Sequence, residues 1–199
     1  MPRTTLALTS FVSGEFSAKL DGRTDFQKYN TSCKTLENFL VHPQGAATRR
    51  VGTQFIAEVK SSAAKTRLIP FEFSTTQTYI MEFGNNYIRF FKDKGQILSG
   101  GSAYEIASPY ATSELFDIKF AQSADVMYIC HPNHDVRKLS RSGHTSWTLA
   151  TVSFTGSPSP AISGSDNRPS CVSFFEQRLV FANTNNNPQT LFFSKSGDY

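Results

Sequence analysis

The residues best equipped for chemistry lie close together in Cys130-His-Pro-Asn-His-Asp135. A thiolate, two imidazoles and a carboxylate are all competent ligands for a transition metal. Their spacing works against that use. Side chains alternate between the two faces of a strand, so Cys130 and His131 point apart, and Pro132 breaks the run before His134. No second ligand pair stands at zinc-finger spacing. Pro, Asn and Asp together are turn residues, and we read the segment as a strand-to-strand turn with no metal and no cofactor. Elsewhere the sequence has no pair of carboxylates in a motif, no Gly-x-Ser-x-Gly elbow and no Gly-rich phosphate loop ending in Lys-Ser. The expectation is a protein that is not an enzyme.

A second segment, Ser140-Arg-Ser-Gly-His-Thr-Ser-Trp147, resembles the Asp-box turn of sialidase-type propellers, but it lacks the Asp and sets Gly one residue too far from Trp. A turn in which Gly143 takes a positive φ and Trp147 packs on the next blade accounts for these residues without catalysis. The remaining concentration of functional groups is basic: Arg49-Arg50, with Arg23, Lys28 and Lys34 near them in sequence. So few charges give only weak, salt-sensitive contact with nucleic acid. A solvated or subunit-facing surface is therefore the reading for Arg49 and Arg50, and Arg23, Arg49 and Arg50 are the candidate subunit contacts, or channel contacts if the resemblance described below holds. Of the net charge of +4, most sits early: residues 1–60 hold eight Lys or Arg against five Asp or Glu, and residues 61–199 twelve against eleven. That distribution lacks the basic stripe of a sequence-reading DNA binder.

The elements that must position these groups are strands. Eighteen Phe and seven Tyr among many Thr and Ser suit strands packed on strands, and 39% hydrophobic content in 199 residues suffices for a core. Three segments, 69–95, 118–143 and 172–197, share one pattern. Each opens on a short apolar strand, turns into a second (TYIMEF, DVMYIC, RLVFAN), turns again and closes on a third that ends in a basic residue and Gly. Repeats of this kind read as blades that cannot bury their apolar faces alone. The predicted class is mainly β, an incomplete β-propeller-like array of antiparallel meanders with an N-terminal arm and one short helix. The faces should meet through Phe71, Phe73, Tyr79, Phe83, Ile88, Phe90, Phe120, Met127, Ile129, Trp147, Phe174, Leu179 and Phe181. The third unit ends at Asp198-Tyr199, which is expected to leave the strand over 190–194 as an open edge.

Two domains are expected: an arm over 1–60 and the β repeats over 61–199. In the arm, Asp25 can cap a helix through Phe26, Tyr29, Cys33, Leu36 and Phe39, ended by His42-Pro-Gln-Gly45. Gly52 to Lys60 reads as a strand, and residues 100–118 as a connector. Residues 147–154 supply a fourth strand to the second repeat, and residues 156–169, rich in Gly, Ser and Pro, a surface loop. Three cysteines, Cys33, Cys130 and Cys171, leave one over in any pairing, so reduced thiols are expected. Neither a signal peptide nor a membrane helix is indicated at the start.

Phe11-Val-Ser-Gly-Glu-Phe-Ser, Gly22-Arg-Thr-Asp25, Tyr29, Lys34-Thr-Leu-Glu-Asn-Phe39, His42-Pro-Gln-Gly45, Thr48-Arg-Arg and Gly52-Thr together resemble the N-terminal signature of the tail nozzle (tail tubular protein B) family of short-tailed bacteriophages. Phe120-Ala-Gln-Ser-Ala-Asp-Val-Met-Tyr, His131-Pro, Lys138-Leu, Phe174-Phe-Glu-Gln-Arg-Leu-Val-Phe and Ser194-Lys-Ser-Gly-Asp-Tyr199 resemble the same family. The resemblance implies a non-enzymatic virion protein, assembled in the bacterial cytoplasm as a homohexamer below the tail adaptor ring. It would enclose the channel for double-stranded DNA, touching it only transiently, and would offer attachment surface to tail fibres. In that family several hundred further residues would follow Tyr199. The competing expectation is a glycan-binding or glycan-cleaving tailspike-type propeller, which requires clustered exposed aromatics and two carboxylates about 5–10 Å apart.

Overall fold

The computed structural model describes residues 7–156 and 158–199. It is mainly β and, among the described residues, contains no closed barrel. The chain separates into two compact units, Met1–Phe55 and Ile56–Tyr199.

The first unit is held by short pairings. Strand β1 (Gly14–Glu15) runs parallel to β2 (Ser32–Cys33), and β3 (Phe39–Val41) forms a hairpin with β4 (Ala47–Arg49). The helix expected from Asp25 to Phe39 does not form. Among the described residues of this unit the only helical turns are 3-10, at Ala18–Leu20 and Tyr29–Thr31. The Asp25 carboxylate is taken by Arg23, which donates to it at 2.8 and 2.7 Å. The hydroxyls of Thr31 and Ser32 bond back to the carbonyls of Lys28 and Tyr29. Such side chains compete with the helical ladder, and Phe26 and Phe39 stay exposed instead of sharing a buried face. His42-Pro-Gln-Gly45 is the hairpin turn, with Gly45 at φ +101° and a Cβ there blocked by Ser10.

Residues 52–60 also depart from expectation, because they pair with no strand. Within the second unit, Ile56, Ala57 and Val59 border a groove of about 550 Å³ on the outer face of the first sheet, with Leu68, Ile80 and Phe91 opposite. The alternation of the segment is real, but it serves contact with a sheet face and not with a sheet edge.

The second unit carries three successive antiparallel meanders. The first sheet has β5 (Arg67–Ser74), β6 (Gln77–Gly84) and β7 (Tyr87–Lys92), each paired with the next. After β7 the chain doubles back as β8 (Gly95–Gln96) and makes a small hairpin of β9 (Leu98–Ser99) and β10 (Ser102–Ala103). Gly100 and Gly101, at φ +60° and +85°, form its turn, the positive-φ pair that tight hairpins require. Then β11 (Glu105–Ala107) pairs with β7, so the segment read as a connector contributes the fourth strand of this meander. The second sheet is β12 (Lys119–Ser123), β13 (Val126–His131), β14 (His134–Gly143) and β15 (Ser146–Thr151), in chain order. The third is β16 (Cys171–Phe175), β17 (Arg178–Ala182) and β18 (Leu191–Phe193).

Alternation along β13 sends its two faces to different neighbours. Met127 and Ile129, with Leu139 and Trp147, join Ile69, Phe71, Tyr79, Met81, Phe83, Ile88 and Phe90 in one core. Tyr128, Cys130 and Val136 join Leu179, Phe181 and Phe192 in a second. The second sheet is thus sandwiched between the first and the third. Each fully buried large apolar side chain contributes about 1.5–3 kcal/mol, so the two cores dominate the stability of the array. Among the residues expected to meet, Phe73 is 37% exposed and stays out of the core, with the Arg141 guanidinium over its ring, 4.2 Å from the centre. Two details of the β14–β15 turn also differ. Gly143 does not take a positive φ, since a bulge between Arg141 and Gly143 absorbs the bend. Trp147 packs on the preceding sheet and not the next, stacked on Phe90 with centroids 4.4 Å apart.

Candidate functional site

The chemical groups singled out in Cys130 to Asp135 do form a turn between β13 and β14, with His131 paired opposite His134. Cys130 and His131 diverge as alternation requires: Cys130 enters the second core, while His131 follows Ile129 toward the first sheet and is 1% exposed. The two histidines nonetheless come together, with ring centres 5.1 Å apart. A third group, absent from the sequence reading, completes the cluster. Glu114 lies in the turn of residues 111–117 that leads from the first sheet to the second.

Glu114 is fixed by four polar contacts. Its own amide donates to the Ala111 carbonyl, and the Ala111 amide donates back to Glu114 Oε2 at 3.0 Å. His134 Nε2 stands 2.9 Å from the same oxygen, and Asn133 Nδ2 donates to Oε1 at 3.4 Å. Burial alone pushes this carboxyl up, but the Ala111 amide, His134 and Asn133 together outweigh burial and hold it at about 2. His131 accepts the Asn133 backbone N–H on Nδ1 at 3.1 Å. Its proton therefore sits on Nε2, and Nε2 is buried without a hydrogen-bond partner. Burial holds the imidazole below its ordinary value, against smaller opposing effects of Glu114 and its backbone. The hydroxyl of Tyr110 is likewise buried and unpartnered, and its ring packs against both histidines at 5.9 and 5.1 Å. One ligand atom from each of Glu114, His131 and His134 falls within 4.8 Å of the others. No spacing rule in the sequence links Glu114 to the histidine turn, because the link is made by the packing of two sheets.

The basic residues are placed differently. Arg23 is occupied by Asp25 in an exposed bidentate pair. Arg50 belongs to the hairpin closure, donating through Nε to Asn38 Oδ1 at 2.7 Å and through its amide to the Asn38 carbonyl. Arg49, at the end of β4, is exposed, and its side chain makes no hydrogen bond or ion pair among the described residues. The three arginines thus stand on two segments, and Arg49 is the one whose charge is unengaged.

A third feature is apolar. On the third sheet, Val172, Phe174, Leu179, Phe181 and Phe192 face the second core. The opposite face presents Phe175, Leu191 and Phe193 at 58%, 59% and 52% exposure. Strand β18 pairs with β17 alone. Compared with known proteins, the chain matches no protein-family model and no curated protein.

Proposed function

We propose that this chain is a structural, non-enzymatic component of a phage tail nozzle, built as part of a propeller-like array and acting through assembly. The supporting observation is the stack of three antiparallel meanders whose last face is apolar and exposed. A face with three large exposed apolar side chains gains stability when another sheet covers it, and in this reading a further meander covers it. In this reading the array is completed within a homohexamer that contacts an adaptor ring and tail fibres. Arg49 carries a subunit or channel contact, and DNA passes with only transient, non-specific contact. Near balance of charge over residues 61–199 suits a conduit, since tight phosphate binding would retard the genome. No helix among the described residues is long and apolar enough to cross a membrane.

Light scattering with stepwise dilution tests the reading. The chain is expected to associate with rising concentration, and Leu191→Lys with Phe193→Lys is expected to abolish that association without altering the circular dichroism. Arg49→Ala should weaken assembly and leave the fold intact. A monomer at every concentration, or association indifferent to both changes, overturns the proposal. Retention on a glycan array would favour the tailspike alternative.

A further inference from the structure

We propose that Glu114, His131 and His134 form a binding site for a divalent transition-metal ion of the zinc type, tying the turn that leaves the first sheet to the β13–β14 hairpin of the second. Two imidazoles and a carboxylate are a donor set that zinc accepts, whereas magnesium and calcium favour all-oxygen sites. The three ligand atoms already lie within 4.8 Å of one another. In a tetrahedral site with metal–ligand bonds near 2.0–2.1 Å, they would stand roughly 3.3 Å apart. The Glu114–His134 pair, at 2.9 Å, needs only to open slightly, and His131 to move inward.

The independent observation is His131 Nε2. A buried N–H without an acceptor is costly, of the order of 1–3 kcal/mol, and this one is on a ring only 1% exposed beside two other ligand groups. A metal at Nε2 answers that orphan N–H, because the nitrogen then offers a lone pair and not a proton. The proton balance is definite. His131 releases the Nε2 proton to solvent and takes one from solvent at Nδ1, with no net change for the ring. The 3.1 Å bond from the Asn133 amide to Nδ1 is given up in exchange for the metal–nitrogen bond, and since two donors cannot face each other at that distance the turn must shift so that the Asn133 amide and the new Nδ1–H reach water or other acceptors. His134 changes tautomer in the same way, since its Nε2 now faces the Glu114 carboxylate. The fourth coordination position is left to water. The site does not depend on the nozzle reading, since it ties together two sheets of one chain.

The test is a calorimetric titration of the full chain with zinc sulfate, and in parallel with magnesium chloride, combined with nitrogen-15 NMR of the imidazoles. We expect one equivalent of zinc and no magnesium, and transfer of the His131 proton from Nε2 to Nδ1 at saturation. Glu114→Gln, which keeps the shape of the side chain, should weaken zinc binding at least tenfold. Absence of saturable zinc binding, or a His131 that keeps its Nε2 proton in excess zinc, overturns the proposal. So does binding unchanged in Glu114→Gln but lost on alkylation of the thiols. If that variant does not fold, the imidazole spectra of the unaltered chain decide the matter alone.

Discussion

Replacing Trp147 with Ala tests whether the sheets are held face to face as described. Trp147 is 6% exposed and touches three rings of the first sheet. It stacks on Phe90 and meets Phe71 and Tyr79 edge-on at 4.8 and 5.2 Å. Its indole N–H also donates to the His144 carbonyl at 3.1 Å. Truncating a buried Trp costs about 3–5 kcal/mol. The aromatic pairs, about 0.5–1.5 kcal/mol each, and a hydrogen bond of about 1 kcal/mol lie within that range and are not added to it. A domain of this size has about 5–15 kcal/mol in total, so the loss is a large fraction. With a urea dependence of about 2–3 kcal/mol per molar, the midpoint should fall by about 1–2.5 M. The assay is urea unfolding followed by circular dichroism, with Phe175→Ala, on the exposed face, as the control expected to change stability by less than about 0.5 kcal/mol. Trp147 is the only tryptophan, so fluorescence of the unaltered chain should report the same transition. Equal midpoints for the two variants would refute face-to-face packing through Trp147.

A Cβ at Gly84 would fall inside the Tyr87 ring, which bonds the buried Glu82 carboxylate; Gly84→Ala should cost about 1–3 kcal/mol, measured in the same urea assay. Glu105, held by Lys60 and Arg89, has its carboxyl lowered from the ordinary 4.5, first by the Lys60 bond. A depressed carboxyl adds stability above its unfolded value and loses it as pH falls through the folded one. Acid unfolding below about pH 4.5 should therefore be less steep in Glu105→Gln when melting is followed against pH. Iodoacetamide with mass spectrometry should modify exposed Cys171 first and half-buried Cys33 next. It should reach buried Cys130, whose thiol burial pushes up, only on unfolding.

What the sequence made legible follows from local periodicity. Ten strands of the three meanders were readable because alternation such as Val172, Phe174 against Ser173 is a property of adjacent residues. Glu105 to Ala107 was read as part of a connector, because it lies outside the shared three-strand pattern and only its pairing with β7 defines it as a strand. The false helix over residues 25–39 came from apolar spacing and from Asp25 read as a cap, whereas Asp25 is bound by Arg23. Asn30, Thr31 and Ser32 are poor helix formers, and tertiary burial of Phe26 and Phe39 never came to outweigh that. The histidine turn was legible as a turn, but Glu114 was not, because its approach depends on how the second sheet packs on the first. Positive φ was expected at Gly143, whereas the bend is met by a bulge that sequence does not mark.

Assembly into a nozzle ring is proposed here, and the mass of the native particle that contains this chain is its sharpest test. Native mass spectrometry of particles purified from the host should give six copies of the protein in one ring, associated with an adaptor. A particle with a single copy, or one whose other components are enzymes or glycans and not tail proteins, would contradict the account.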